Sequence, residues 1–372
     1  MTLRRTPLSW PLAIIAVAAA TSAEASYSNL FLFGDSLSDS GNNAAVFDYV
    51  IGPAVPPPDG PLPPGTLRTP VPTPDNSFIP AYPYAYPSPA LPLSGRYSNG
   101  KVWAETFAPA FGLSAVASEL GGTNFAFGGA RVGITPPSGF PPSLSAQLGG
   151  FLAKTGGVAP ASALYVIEGG GNDARDIIEA AAKAPADAAA IIEAGAIAYA
   201  AAVDAMVEQL EAAGARDIVV WNTPNAGTGP AIIAAGAKNL GTLVAQTMNA
   251  FLLAALADDI FDGVKIFDAY GVSTSISNDP GAYGLVDAAN ACSAAANIAA
   301  CAASGYQYFF WDGIHPTAAG HRLLANAMIS LVPEPATVVL LALGLFGVAT
   351  TRRRQTPFHA VAPSRTAYSL TN

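Results

Sequence analysis

The sequence predicts an α/β protein, a three-layer α/β/α sandwich with a central parallel sheet. Short apolar runs typical of buried strands alternate with longer helical runs along the chain. This alternation favours a parallel sheet that is covered by helices on both faces. No internal repeat is visible, so the alternating segments indicate one domain.

The predicted elements follow one another in a regular order. Strands are expected at residues 30–33, 163–167, 218–221 and 264–267, and helices at about 102–111, 185–213, 239–256 and 318–330. Pro185 suits the first turn of the second helix, and Gly214 is positioned to cap its end. Each strand is short and apolar, which is typical of strands buried on both faces.

Residues 1–25 have the features of a secretory signal peptide. Arg4 and Arg5 precede an apolar stretch from Leu12 to Ala20, and the segment closes on Ala23-Glu24-Ala25. A positive start, an apolar centre and a small-residue cleavage site define such peptides. A first transmembrane helix is the alternative, but the apolar centre is too short to span a bilayer.

The other end carries a second targeting pattern, at residues 332–354. Val332-Pro333-Glu334-Pro335 precedes an apolar run at 336–351, and three arginines follow. The pattern resembles a PEP-CTERM sorting signal of exported Gram-negative proteins from exopolysaccharide producers. The resemblance implies sorting and processing machinery at the inner membrane as a partner. Residues 355–372 extend beyond the usual pattern and stay unassigned, and a simple membrane anchor is the alternative.

Composition excludes some classes of partner. The chain has 372 residues, of which 12% are charged, and a net charge of −9. A nucleic-acid-binding protein is expected to carry a basic patch, so nucleic acid is not an expected partner.

The proline-rich stretch at 52–92 cannot be interior helix or central strand, and we expect a surface loop there. A variable insertion is favoured over a lid across the substrate cleft.

The two cysteines, Cys292 and Cys301, lie close together in a loop-like region. In an exported chain such a pair suggests a disulfide rather than two free thiols. A metal site is disfavoured because no further Cys or His lies near the pair. No cofactor is implied elsewhere in the chain.

The first predicted strand leads directly into a candidate nucleophile. Leu30 to Phe33 is followed by Gly34, Asp35 and Ser36. A serine nucleophile needs a rigid support behind it and backbone N–H groups near it, and the end of a buried strand offers both.

The shortage of histidine narrows the choice of a base for Ser36. The chain has three histidines. His359 lies beyond the sorting signal, and His321 is expected as an exposed or half-packed helical residue. His315 lies in a loop, and Asp312, three residues earlier, is able to accept from its Nδ1–H. Loop capping is the alternative explanation of this cluster, although capping alone does not require a histidine.

Taken in order, these segments resemble conserved blocks of the GDSL (SGNH) family of serine esterases and lipases. Ser36 matches block I, Gly129 in Phe127-Gly128-Gly129-Ala130 matches block II, Asn172 matches block III, and Asp312 with His315 matches block V. Gly128 is the alternative block II residue. The resemblance covers most of residues 29–331, within a predicted hydrolase domain at 26–331. It implies a flavodoxin-like fold, and an oxyanion hole made by Ser36 N–H, Gly129 N–H and the Asn172 amide.

The resemblance implies an exported esterase or lipase with a Ser-His-Asp triad and an acyl-enzyme intermediate. Its substrate would be a lipid, a short-chain ester or an acylated polysaccharide. Alternatives are a carbohydrate O-deacetylase or acyltransferase acting on exopolysaccharide, and a catalytically silent surface-binding protein. The two targeting patterns predict export across the inner membrane to the cell envelope or the exterior, with transient or permanent membrane anchoring.

Overall fold

A computed structural model describes residues 27–51, 95–294 and 296–332 of the protein. Four parallel strands form its central sheet. In spatial order they are β1 (Leu30–Phe33), β2 (Leu164–Ile167), β3 (Asp217–Trp221) and β4 (Lys265–Phe267). Each lies within one residue of its predicted position. The predicted signal peptide, the proline-rich stretch and the apolar run with its arginines lie outside the described residues.

A fifth chain segment pairs with the free side of β1. Leu32 N–H donates to Thr123 O (3.2 Å), and Phe125 N–H donates to Leu32 O (2.7 Å). This segment comes after β1 and before β2 in the chain, but in the sheet it lies on the side of β1 away from β2. When the five elements are numbered along the chain, it is therefore element 2. The resulting order, 2-1-3-4-5, is that of the flavodoxin-like fold, and the predicted fold class is therefore confirmed.

Helices flank the sheet. Those among the described residues are α1 (Asn42–Ile51), α2 (Trp103–Phe107), α3 (Leu144–Lys154), α4 (Gly171–Lys183), α5 (Ala188–Ala213), α6 (Pro230–Ala234), α7 (Lys238–Ala255), α8 (Ala257–Asp262), α9 (Ala269–Asn278), α10 (Ile298–Ala303) and α11 (Ala318–Leu331). Short 3₁₀ turns lie at Ala108–Phe111, Ser118–Leu120, Ala226–Thr228 and Pro280–Tyr283.

The predicted helix boundaries need small corrections. The helix expected at 102–111 is α2 continued as a 3₁₀ turn, because Pro109 removes a backbone donor. The helix expected from Pro185 begins at Ala188, and Gly214 caps its end as predicted. Helices α1, α3, α4, α6, α8, α9 and α10 were not predicted.

Alternation along the strands fills both faces of the sheet. Phe31 and Phe33 belong to the core cluster that contains side chains of α3, α4, α5 and α7, whereas Leu30 and Leu32 belong to the cluster that contains side chains of α2 and α11. Successive side chains of a strand point to opposite faces, so a run without polar residues requires helices on both sides. Trp103 of α2 meets Trp221 of β3 on the second face, with ring centroids 4.7 Å apart.

Within the described part of the chain, α5 alone is long and apolar enough to cross a membrane. Its inner face, which includes Ile192, Tyr199 and Val203, is buried in the core beside the sheet. Burial in the core accounts for this apolar character, since a core helix meets the same length and composition criteria.

A second, smaller sheet lies apart from the first. It pairs β5 (Asp287–Ala291) with β6 (Tyr308–Phe310) in parallel. Cys292 follows β5 directly and is joined by a disulfide to Cys301 in α10, with the two Cα atoms 5.5 Å apart. The cysteine region expected as a loop is therefore a strand-and-helix unit.

Candidate active site

Ser36, His315 and Asp312 meet in one buried cluster. Ser36 follows β1, and its Oγ lies 2.8 Å from His315 Nε2. His315 Nδ1 lies 2.7 Å from Asp312 Oδ2. The structure thus brings together three side chains that the sequence analysis selected, across 279 residues between Ser36 and His315.

The loop that carries His315 is folded around Asp312. Asp312 Oδ1 accepts from the backbone N–H groups of Ile314 (2.9 Å) and His315 (2.8 Å). Trp311 N–H donates to His315 O at 2.7 Å. With Nδ1–H directed at the carboxylate, the Nε2 lone pair faces the Ser36 hydroxyl, which is the tautomer a general base requires.

Two backbone donors beside Ser36 are available for a ligand. The N–H groups of Ser36 and Gly129 make no hydrogen bond within the described residues. Gly128 N–H donates to Asp39 Oδ2 at 3.0 Å, so its position as the alternative oxyanion donor is disfavoured. Gly129 adopts φ +85°, a left-handed conformation that favours glycine.

Asn172, the third candidate donor, lies in the first turn of α4. Its Nδ2 donates to Ala130 O (3.0 Å) and to Asp35 Oδ2 (3.3 Å). Its Oδ1 accepts from Arg175 Nη1 at 3.4 Å. A carbonyl can only accept and a guanidinium can only donate, so these neighbours fix which way the amide points.

Asp39 supports the loop after Ser36. The N–H groups of Gly41 (2.9 Å) and Asn42 (2.7 Å) donate to its Oδ1, while those of Gly128 (3.0 Å) and Asn43 (3.3 Å) donate to its Oδ2. Burial raises the pKa of Asp39 to about 6, partly offset by these hydrogen bonds. One buried carboxylate therefore holds the start of α1 against the block II glycines. The sequence analysis assigned it no role.

A pair of buried carboxyls lies beneath the nucleophile. Glu168 Oε2 accepts from Ser38 Oγ (2.6 Å) and from Asp35 N–H (3.4 Å). Burial raises the pKa of Asp35 to about 6, and burial together with the Asp35 charge raises the pKa of Glu168 well above its usual range.

Tyr97 contacts both the segment after Ser36 and the loop that carries His315. Its ring centroid lies 5.2 Å from that of His315, and its hydroxyl accepts from Asn43 Nδ2 at 2.7 Å. The same amide nitrogen donates to Gly128 O at 3.0 Å. A Cβ on Gly128 would lie 2.0 Å from the Tyr97 ring, so only glycine allows this approach. Tyr97 thus contacts the segments that carry blocks I, II and V.

The residues after Tyr97 extend this link to the start of α11. Ser98 Oγ donates to Pro316 O at 2.9 Å. Asn99 Oδ1 accepts from Ala318 N–H at 2.7 Å. A polar Ser-Asn pair before a helix is a common turn signal, which explains why the sequence alone did not assign this role.

The expected exposure of His321 is wrong. The side chain is fully buried in α11, and neither ring nitrogen has a hydrogen-bond partner in the described part of the chain. Burial, with a smaller effect of nearby His315, lowers the pKa of His321 to about 3. A neutral ring therefore behaves as an apolar filler here. His359 lies outside the described residues.

The cluster opens into a cleft of about 780 Å³, the solvent at its mouth included. Ser36, Asn172, Arg175 and His315 supply its main polar groups. Most of the remaining wall is apolar, as is common in sites for small molecules. Within the described residues, no group of three His, Cys, Asp or Glu side chains is placed to hold a metal ion.

Comparisons with known proteins give two family matches and several relatives. Residues 30–328 match the GDSL-like Lipase/Acylhydrolase family, and residues 331–354 match the PEP-CTERM protein-sorting motif. The chain is 27% identical over 269 residues to a thermolabile hemolysin of Vibrio parahaemolyticus, covering 66% of this chain and 58% of the hemolysin. It is 30% identical over 219 residues to Lipase 1 of Photorhabdus luminescens, covering 59% of this chain and 25% of that lipase.

Proposed function

The chain belongs to the GDSL-like lipase/acylhydrolase family, and from this premise we propose that it is a serine hydrolase that cleaves carboxylic esters outside the cytoplasm. The observation that carries the proposal is the buried hydrogen-bonded series from Ser36 Oγ through His315 to Asp312. The PEP-CTERM motif indicates export and membrane-associated sorting in a Gram-negative bacterium.

In the proposed first step, Ser36 Oγ attacks the ester carbonyl carbon. His315 Nε2 accepts the hydroxyl proton as the new C–O bond forms, and Asp312 stabilises the imidazolium. The tetrahedral intermediate then expels the alkoxide, which takes the proton from His315. The product of this step is an acyl-enzyme on Ser36 and a free alcohol.

The developing oxyanion needs donors, and three are near. Ser36 N–H and Gly129 N–H have no competing acceptor among the described residues, so they donate without first breaking a bond. The Asn172 amide would exchange its longer contact, to Asp35 Oδ2 at 3.3 Å, for the oxyanion. Donors fixed in advance in this way lower the barrier because they need little reorganisation.

In the second step, a water replaces the alcohol. His315 accepts a proton from this water as its oxygen attacks the acyl carbonyl, and it then protonates Ser36 Oγ as the acyl group leaves. The enzyme returns to its starting state and a carboxylic acid is released.

Ser36→Ala and His315→Ala test the proposal with short p-nitrophenyl esters. We expect kcat to fall by about 10⁴-fold or more in each, as for other serine–histidine sites. Ser162→Ala, at an exposed serine on the amino-terminal side of β2, is the matched control. Undiminished hydrolysis by a folded Ser36→Ala protein would refute the proposal. Failure of a fluorophosphonate probe to label Ser36 would favour a silent binding protein.

A second candidate is favoured by the sorting motif, which resembles signals from exopolysaccharide producers. In this case the same serine removes or transfers O-acyl groups on a carbohydrate. The purified enzyme would be incubated with acetylated polymer from its own host and with p-nitrophenyl acetate. Release of acetate from the polymer at a higher kcat/KM than from the small ester would favour the carbohydrate reaction.

A further inference from the structure

Arg175 occupies an unusual position in the cleft. It lies three residues after Asn172 on α4, and both side chains line the cleft that holds Ser36. Residues three apart on a helix are neighbours on one face, with Cβ atoms about 5–6 Å apart. Apart from His315, Arg175 is the only basic side chain among the described residues that line this cleft.

The guanidinium of Arg175 is half-buried without an ion pair in the described part of the chain. Its hydrogen-bond acceptor is the neutral Asn172 Oδ1, at 3.4 Å. Buried charges in proteins are normally paired, because taking an ion out of water is costly. Burial accordingly lowers the pKa of Arg175.

The nearby carboxylates are already bound to other groups. Asp176 accepts from Arg131 Nε (2.9 Å) and Nη2 (2.8 Å). Asp312 Oδ2 is bound to His315, and Asp35 accepts from Leu37 N–H and Asn172 Nδ2. The charges of Asp176, Asp312 and Asp35 favour the charged form of Arg175 from a distance. In the described part of the chain, none of these carboxylates accepts a hydrogen bond from its guanidinium.

Most of the rest of the cleft wall is apolar, and the other polar side chains that line it are Asp35, Asn225, Thr228 and Ser273. Leu37, Pro224, Ile232, Phe309 and Ile314 line it with apolar atoms. Such a wall suits an acyl chain, whereas a single cation beside the reacting centre suits a negative charge on the same molecule.

We propose that Arg175 is a specificity-determining residue that binds an anionic group, a phosphate or a carboxylate, carried by the ester substrate within a few bonds of its carbonyl. The inference rests on the proposed ester hydrolysis. Asn172 faces the oxyanion in that mechanism, and Arg175 lies one helical turn farther on. The fork of a guanidinium matches both anions through paired N–H bonds.

Two matched substrate pairs test this binding. The first places the charge on the acyl side, with p-nitrophenyl pentanoate against p-nitrophenyl hydrogen glutarate. The second places it on the alcohol side, with monobutyrylglycerol against monobutyrylglycerol phosphate. The background rate with Ser36→Ala is subtracted from each, and the quantity compared is the ratio of kcat/KM for the anionic member to that for the neutral one.

For the wild type we expect this ratio to favour the anionic member of at least one pair. Arg175→Gln should lower that ratio by about 10- to 100-fold, mostly through KM, because a charge-assisted hydrogen bond to the substrate is lost. Arg175→Lys keeps the charge and should recover part of the ratio. Arg216→Gln removes the same charge at an exposed site before β3 and should not change the ratio. The pair that responds tells whether the anion lies on the acyl or the alcohol side.

A ratio that Arg175→Gln leaves unchanged in both pairs would overturn the inference. So would an equal fall in kcat for charged and neutral esters, since that result means Arg175 only orients Asn172. Absence of Ser36-dependent hydrolysis for every ester would instead refute the proposed function. Hydrolysis of neutral esters without a charge effect refutes the role of Arg175 alone.

Discussion

The serine arm (residues 30–43) and the histidine arm (residues 287–321) deliver their side chains in different ways. The serine arm continues β1 of the four-stranded sheet, and its loop is held by a buried carboxylate that accepts from four backbone N–H groups. The histidine arm contains the separate two-stranded sheet of β5 and β6, and the Cys292–Cys301 disulfide lies next to that sheet. Ser36 is thus positioned by the main core, whereas His315 is positioned by local cross-links.

The difference extends to buried polar groups. Asp35, Asp39 and Glu168 are buried beside the serine arm, and each accepts at least one hydrogen bond. In the histidine arm, Asp312 is also buried and accepts hydrogen bonds, whereas the buried ring of His321 has no partner among the described residues. We therefore expect the loss of a hydrogen-bonded carboxylate in the serine arm to lower stability more than the loss of the unpartnered His321 ring in the histidine arm.

The largest effect is expected from Asp39→Ala. Four N–H groups lose their acceptor, so the free energy of unfolding should fall by about 3 kcal/mol, and kcat by about 100-fold as the Ser36 loop loosens. Urea unfolding and ester kinetics measure the two quantities. Glu208→Ala, at an exposed carboxylate inside α5, is the control and should change stability by less than about 0.5 kcal/mol. A stability loss below about 1 kcal/mol would contradict the proposed role of Asp39.

Next in size is the joint substitution of Cys292→Ser and Cys301→Ser. Cys292 N–H donates to Phe310 O, and Ser293 N–H donates to Trp311 O, so the disulfide-linked unit adjoins the His315 loop. A short cross-linked loop contributes about 2–3 kcal/mol by the chain-entropy estimate. We expect a loss of that size and a kcat about tenfold lower, as the base becomes less well placed.

Reducing agent supplies the internal control for this pair. It should lower the activity of the wild type toward that of the double variant and leave the double variant unchanged. A double variant with full kcat at a temperature where it stays folded would show that the histidine arm does not depend on its disulfide.

A smaller effect is expected from Tyr97→Phe, which tests the contact between the arms. The variant keeps the ring beside His315 but removes the hydroxyl that accepts from Asn43. The free energy of unfolding should fall by about 1 kcal/mol, with little change in KM. Tyr97→Leu also removes the ring and should lower kcat further. Equal kcat values in the two variants would mean that the ring does not position His315.

His321→Met should have the smallest effect at neutral pH, within about 1 kcal/mol, because the buried ring has no hydrogen bond to lose. The pH dependence should differ more. With a folded pKa of about 3, His321 stays neutral while the unfolded chain takes up the proton near pH 6.5. Its contribution to stability is therefore present above pH 6.5 and is lost as the pH falls toward 3, by about 1.4 kcal/mol per pH unit.

The difference between wild type and His321→Met isolates this contribution. Asp35 and Asp39, whose folded pKa values are raised to about 6, act with the opposite sign in both proteins. Their contribution to stability is present below about pH 4 and is lost as the pH rises through 6. Urea unfolding at several pH values provides the measurement, and parallel curves for the two proteins would refute the buried neutral His321.

The strands of the main sheet and the segments that carry Ser36 and His315 could be predicted because each is recognisable from a short stretch of sequence. Runs such as Leu30–Phe33 have no polar residue, so few alternatives to a buried strand exist. The rarity of histidine reduced the choice of base to two. The small sheet was missed because Asp287–Ala291 contains no β-branched or aromatic residue, and its hydrogen bonds to the β6 region hold it as a strand.

The supporting residues could not be predicted for a different reason. Asp39 and Tyr97 act on partners more than 50 residues away, at Gly128 and Asn43 respectively. Helix α4 begins after a glycine run that has the composition of a turn, so Arg175 was not placed beside Asn172. Long-range packing, which one sequence does not reveal, decides these contacts.

The distance in sequence between Ser36 and His315 also has a consequence for timing. A chain that emerges from the ribosome, or from a membrane channel, with its amino end first exposes Ser36 long before residue 315 appears. The base arrives after the last strand of the main sheet, on a unit whose disulfide forms only in an oxidising compartment. In the proposed function, ester cleavage therefore begins only when the chain is nearly complete, because His315 is among the last of the described residues to appear.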